Sequence, residues 1–207
     1  MWEIVQKGGP LMYLIGLCSV ISLALVIERL YHLYQARIDT KNFMKSITDT
    51  VKRNRVGDAI ELCESTPGPI AQIVKAGILK QDRPRREIKE AIEDVAVHEV
   101  PPLEKNLSAL ATIAHITPLL GLLGTVTGMV RSFQIIEQQA ANMNPINPGD
   151  LAGGIWEALI TTVAGLSVAI PTYVAYNYLV SRVDALVLDM EKSATSIVNI
   201  LDAKREE

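Results

Sequence analysis

Three stretches of the chain carry no charged residue at all: Leu11–Ile27, Asn106–Val130 and Ala158–Ser181. The rest of the 207 residues hold 20 Lys and Arg and 23 Asp and Glu, so the gaps do not reflect a charge-poor composition. A helix needs about 20 predominantly apolar residues to cross a bilayer core, and each run approaches or exceeds that length. The chain is therefore predicted to be an all-α integral membrane protein with three transmembrane helices, not a soluble single domain. A mean hydropathy of +0.22 with only 5% aromatic residues agrees.

The first run is read as a retained span over residues 10–34, with Pro10 in its first turn. A cleaved signal peptide would need a basic leader and a small-residue cleavage site. Here the apolar run leads instead into Glu28-Arg29 and the interfacial aromatics Tyr31, His32 and Tyr34. Orientation follows from the basic residues. Gln35–Lys105 holds 13 Lys and Arg, the tail from Arg182 holds four, and Ser132–Ser181 holds none. The positive-inside rule places the first two segments in the cytoplasm and the N-terminus outside. The predicted organisation is an N-terminus and first span (1–34), a cytoplasmic helical region (35–106), a second span (107–136), a short periplasmic loop (137–154), a third span (155–181) and a cytoplasmic helical tail (182–207).

Within 35–106, Phe43, Ile47 and Val51 recur at helical spacing, as do Ala59, Ile60 and Cys63 after Gly57. Thr66-Pro67-Gly68-Pro69 is a break, Ile70–Leu79 a short helix, and Pro84 the start of a longer one. Pro101-Pro102 should bend that helix before Leu103. Over Gln35–Lys105 the 13 basic and 12 acidic residues nearly cancel, as suits a water-facing helical bundle. The outer loop is rich in Asn, Pro and Gly, and Asp150 is a candidate N-cap for the third helix.

Several functions are disfavoured. A net charge of −3 with no basic stripe argues against nucleic-acid binding. Cys18 and Cys63 make no disulfide framework and fall in different phases, so no redox role, metal or cofactor is expected. Metallohydrolase, serine-hydrolase and phosphate-loop motifs are lacking, which argues against an enzyme. A solute transporter is disfavoured by the lack of an inverted repeat.

The second span carries a narrow stripe of small and hydroxyl residues: Ala114, Thr117, Gly121, Gly124, Thr125 and Gly128. The third repeats the design with Ala158, Thr161, Thr162, Gly165, Ala169, Thr172 and Tyr176, spread over about 100° of the helix. Gly124–Gly128 is a small-xxx-small spacing that lets backbones approach. Pro118 and Pro171 are expected to kink their helices, freeing the carbonyls of Ala114 and Ser167. Such stripes can serve close packing alone, with the threonines bonded back to their own helices, or a polar pathway. Glu157, an acid at the start of a membrane helix, favours the pathway, although it stands about 140° from Thr162 and shares a face with Thr161. Hydroxyls orient water but do not titrate, so a carboxylate from another chain should supply reversible protonation. His115 is the other titratable group within a span, and the commoner reading of such a residue is a packed, neutral side chain.

These residues also resemble a family. Thr117-Pro-Leu-Leu-Gly-Leu-Leu-Gly-Thr-Val-Thr-Gly-Met129 followed by Phe133 is similar to the second-helix signature of the MotA/TolQ/ExbB proton-channel family. Gly154-Ile-Trp-Glu-Ala-Leu-Ile-Thr-Thr-Val-Ala-Gly165, with Ala169-Ile-Pro171 and Tyr176-Asn177, resembles its third-helix signature. Ile27-Glu28-Arg29 and Gly57–Pro69 resemble it too. The resemblance implies a homopentameric ring of three-span subunits in the bacterial inner membrane, surrounding the helices of an ExbD/TolR-like partner that carries a membrane aspartate. Proton motive force would then be passed to a TonB- or TolA-like protein. Three spans favour the ExbB/TolQ-like branch over the four-span MotA branch. By the same resemblance Thr125, Thr162 and Glu157, joined by the neighbouring Thr161, form the ion pathway, while Gly121, Gly124, Gly128, Gly165 and Ala169 pack the helices. A non-conducting membrane scaffold for an envelope complex is the alternative.

Overall fold

The computed structural model describes residues 8–142, 145 and 148–206. Seven α-helices are present among them: α1 Leu11–Ala36, α2 Thr40–Lys52, α3 Val56–Ser65, α4 Pro69–Leu79, α5 Arg85–Glu104, α6 Leu107–Ala141 and α7 Pro148–Glu206. Three stretches, centred on α1, α6 and α7, are long and apolar enough to cross a membrane. Their outward faces carry Leu17, Val20, Leu119, Leu122, Leu159, Val163 and Ile170, all exposed. Water would penalise so continuous an apolar exterior.

The chain divides into two compact units. One takes residues up to Glu28 together with Asn106–Tyr178, and the other takes Arg29–Lys105 together with the residues from Leu179 onward. The first unit thus gathers nearly all of the three charge-free runs, and the second holds most of the charged sequence.

In the second unit, local rules set the helix ends. Asp39 caps α2, its Oδ1 accepting from the Asn42 N–H at 3.1 Å. Pro69 opens α4 at a position that needs no N–H donor. Gly68 before it has φ +106°, where a Cβ would stand 2.9 Å from the Ala36 carbonyl oxygen. The apolar faces of these helices meet in one core: Ile47, Val51, Cys63, Ile73, Ile88 and Ile197 are all buried. Arg85 fastens α5 to the end of α7, donating to Asp202 at 2.7 Å and Asn199 at 2.9 Å.

Helix α5 runs through Pro101-Pro102 to Glu104, and the break before α6 falls at Asn106, which adopts φ +64°. Distant residues fix that position: Arg29 donates to the Pro102 carbonyl at 3.0 Å, and Asn106 Nδ2 donates to Glu28 Oε2 at 2.7 Å. Helix α7 begins at Pro148, and the side chain of Asp150, the candidate cap, lies outside the described residues. Pro118 and Pro171 both sit inside uninterrupted helices. The Asn- and Pro-rich centre of the outer loop lies largely outside the described residues.

Candidate functional site

Within the first unit, α6 and α7 lie antiparallel with their backbones in contact. A Cβ on Gly121 would stand 3.1 Å from both the Thr161 carbonyl oxygen and Thr162 Cα; on Gly165, 2.9 Å from the Thr117 carbonyl oxygen; on Gly128, 3.0 Å from Ala158 Cβ. On Gly124 it would run into the Thr161 side chain. The stripe of small residues is therefore the contact seam, and Ala169 is buried along the same side of α7.

The hydroxyls separate into two groups. Thr117 and Thr161 are fully buried in the seam. Thr117 donates to the Ile113 carbonyl at 2.6 Å, and Thr161 to the carbonyls of Glu157 and Ala158 at 3.0 and 2.9 Å. Thr162 sits at the seam's edge and bridges the helices, its Oγ1 donating to the Gly121 carbonyl at 3.1 Å. Thr125 is on the open side of α6 and donates to the Leu122 carbonyl at 2.6 Å. A threonine whose proton is committed to a backbone carbonyl still offers its oxygen lone pairs. Thr125 and Thr162 can accept from water, hydronium or a protonated acid, whereas Thr161 has no open side.

Helical periodicity places these residues around the pair. With Gly121 facing α7, Thr125 lies about 40° to one side of α6 and Arg131 about 80° to the other. With Gly165 facing α6, Thr162 lies about 60° to one side of α7 and Glu157 about 80° to the other. Because the helices are antiparallel, Thr125 and Thr162 share one flank, and Arg131 and Glu157 share the opposite one. An observed bond marks that second flank: Arg131 Nη1 to Glu157 Oε2 at 3.1 Å, with the Glu157 side chain 16% exposed and that of Arg131 66%. The other carboxylate oxygen lies against Gly9, whose φ is +68° and where any Cβ would strike Glu157 Oε1. Beside it, Gly8 meets Ile160. The chain entering α1 thus rests on the acid.

The structure brings Thr125 and Thr162 to one surface, keeps Thr161 inside the seam, and holds Glu157 away from both pathway hydroxyls. Sequence reasoning missed Arg131. Its signal was available: it is the first charge after the second charge-free run, and an antiparallel seam puts that end of α6 beside the start of α7. Gly9 and Asn106 left no comparable trace, since their positive φ angles are set by tertiary contacts.

A family model described as the MotA/TolQ/ExbB proton channel family matches residues 65–192. The chain is 28% identical over 183 residues to an ExbB homolog of Methanothermobacter thermautotrophicus, covering 88% of this chain but 63% of that protein. It is similar to the biopolymer transport protein ExbB of Neisseria meningitidis, 28% identical over 218 aligned positions covering 96% of each chain. To the Tol-Pal system protein TolQ of Haemophilus influenzae it is 30% identical over 195 positions, 88% of this chain and 83% of that one.

Proposed function

Since the chain belongs to the MotA/TolQ/ExbB proton channel family, in its ExbB/TolQ-like branch, we propose that it is the ring-forming channel subunit of an inner-membrane motor that draws on proton motive force. Five copies surround the single membrane helices of an ExbD/TolR-like partner, and a TonB- or TolA-like protein takes up the motion. The charged region after α1 and the end of α7 lie in the cytoplasm, and the N-terminus lies outside. The protein performs no covalent chemistry.

The observation carrying this reading is the flank on which Thr125 and Thr162 stand. Two backbones in contact make a stiff wall, and the two hydroxyls on it present acceptor oxygens with no carboxylate beside them among the described residues. The partner's aspartate supplies the acid that takes up and releases the proton. Each charge crossing the field yields about 2.3 kcal/mol per 100 mV, enough to bias a two-state contact whose preference depends on protonation. Glu157 acts on the path from the outer end, as a fixed charge anchored by Arg131, and not as a member of the hydroxyl row.

The test is proton flux in liposomes holding the chain with its ExbD/TolR-like partner. Thr162→Val should abolish flux while the ring stays whole by native mass spectrometry, and Thr162→Ser should preserve it. Wild-type flux from Thr162→Val would overturn the reading, and no flux from the intact wild-type complex would favour the scaffold.

A further inference from the structure

His115 is not a packed side chain: it is exposed on α6. Its ring stands edge-on to that of Tyr173 on α7, with centroids 5.9 Å apart and planes at 70°. Tyr173 in turn lies 6.4 Å from Tyr176. On helical periodicity His115 lies about 120° from the seam, on the same side as Thr125, and Tyr173 about 80° from it, on the same side as Thr162. The observed ring contact across the two helices independently confirms that both face one flank. That flank is the one bearing the hydroxyls.

Resting on the reading above, we propose that His115 is a proton-relay station on this chain's own ion pathway, at the Asn106 end of the hydroxyl flank. The level at which Thr162 bonds the Gly121 carbonyl is about 9 Å further along α6, and Thr125 about 15 Å, at 1.5 Å rise per residue. A short file of water spans the first interval. The imidazole takes a proton from water at one nitrogen and, as imidazolium, returns a proton to the water file. The edge-on contact with Tyr173 holds the ring in one orientation while it does so.

The surroundings favour this role. From α7 the titratable groups on this side are Tyr173 and, behind it, Tyr176. Along α6 the nearest charges are Lys105 and Arg131, beyond both ends of the charge-free run. The chain entering α1 meets α7 on the opposite flank, where Gly8 touches Ile160 and Gly9 touches Glu157. By the same periodicity the exposed Leu119 and Leu122 stand within about 40° of His115; an imidazole packed among them against lipid would leave both nitrogens without partners, whereas water reaching it through the ring's lumen supplies each.

The complex with the ExbD/TolR-like partner in liposomes tests this, with the pH varied on the Asn106 side. Wild-type flux should depend on that pH. His115→Gln should flatten that dependence and lower flux about a hundredfold, the low end of what a positioned proton-transfer group contributes. Tyr173→Phe, which keeps the ring contact, should leave both features in place. If Thr162→Val blocks flux but His115→Gln keeps wild-type flux and pH profile, this inference falls and the channel reading survives. If both are silent, both fall. A second readout needs no flux: in a Cys18→Ser, Cys63→Ser background, His115→Cys should react with a charged, membrane-impermeant thiosulfonate. Failure to react places the residue against lipid or protein and overturns the proposal.

Discussion

Replacing Gly124 by alanine is the sharpest test of the seam. A Cβ there would meet the Thr161 side chain at three atoms: its Oγ1, its Cβ at 2.5 Å and its Cγ2 at 3.0 Å. Thr161 is fully buried and its hydroxyl is already bonded to two carbonyls, so it has no empty space to turn into. Overpacking of this kind costs about 1–3 kcal/mol, which outweighs the gain of up to about 1 kcal/mol that alanine brings to a helix interior. At about 2–4 °C per kcal/mol for a chain of this length, Gly124→Ala should melt several degrees below wild type in detergent. Gly16 and Gly153, also helical, have nothing within 4 Å of an added Cβ; their alanine variants should melt at or slightly above wild type. Pairing Gly124→Ala with Thr161→Gly should recover stability relative to the sum of the singles, a coupling of about 1–3 kcal/mol. Prising α7 from α6 would also pull Thr162 off the Gly121 carbonyl, so conduction should fall with the melting point. A Gly124→Ala protein that melts and conducts like the Gly153→Ala control would refute the close seam.

Two further outcomes are expected in the region outside the spans and at its border. Burial pushes the Cys63 thiol up to about 11 from an ordinary 9.0, Lys75 opposing and Glu64 assisting. At pH 8 its alkylation should be about a hundredfold slower than in unfolded chain, on thiolate fraction alone. Because the folded value is the higher one, stability is fully present below pH 9 and declines towards pH 11; wild type should lose about 2–3 kcal/mol more than Cys63→Ala across that window in urea titrations. At Asn106, glycine keeps the left-handed φ but loses the bond to Glu28, and alanine loses both, so melting points should fall in the order wild type, Asn106→Gly, Asn106→Ala, the last two differing by about 1 kcal/mol. An alanine variant as stable as wild type would refute the claim that Glu28 and the left-handed turn fix this break.

What the sequence made legible was whatever physics acts locally. Phe43, Ile47 and Val51 are spaced for one helix face, and all three are buried on α2. The Thr66–Pro69 break and the Pro84 start followed from missing donors and fixed φ. Hydropathy, however, marks where lipid would end and not where a helix ends: α6 continues to Ala141 and α7 from Pro148 to Glu206, because nothing in those polar extensions breaks a helix. The break at Asn106 was illegible because its partners, Glu28 and Arg29, lie more than seventy residues away in sequence. Glu157 was visible as an unusual acid, but its flank depended on a seam register that only packed coordinates supply.

That register changes what a threonine-lined wall can be asked to do. Asp and Glu are absent from Asn106–Val130 and Ala158–Ser181, and the nearest acid, Glu157, is held on the far flank by Arg131 and Gly9. On the proposed path past Thr125 and Thr162, an ion therefore meets acceptor oxygens from this subunit and, among the described residues, no carboxylate. Acceptors alone stabilise a proton in transit equally in both directions, so directionality has to enter through a group that titrates. On this flank the chain offers one imidazole, at one end of the path. A lone end station sets how readily protons enter or leave on that side, but the rectifying step, in which protonation alters which contact is preferred, must belong to a group that moves relative to the wall. A subunit rigid enough to keep two backbones in contact is suited to be the track for such a group.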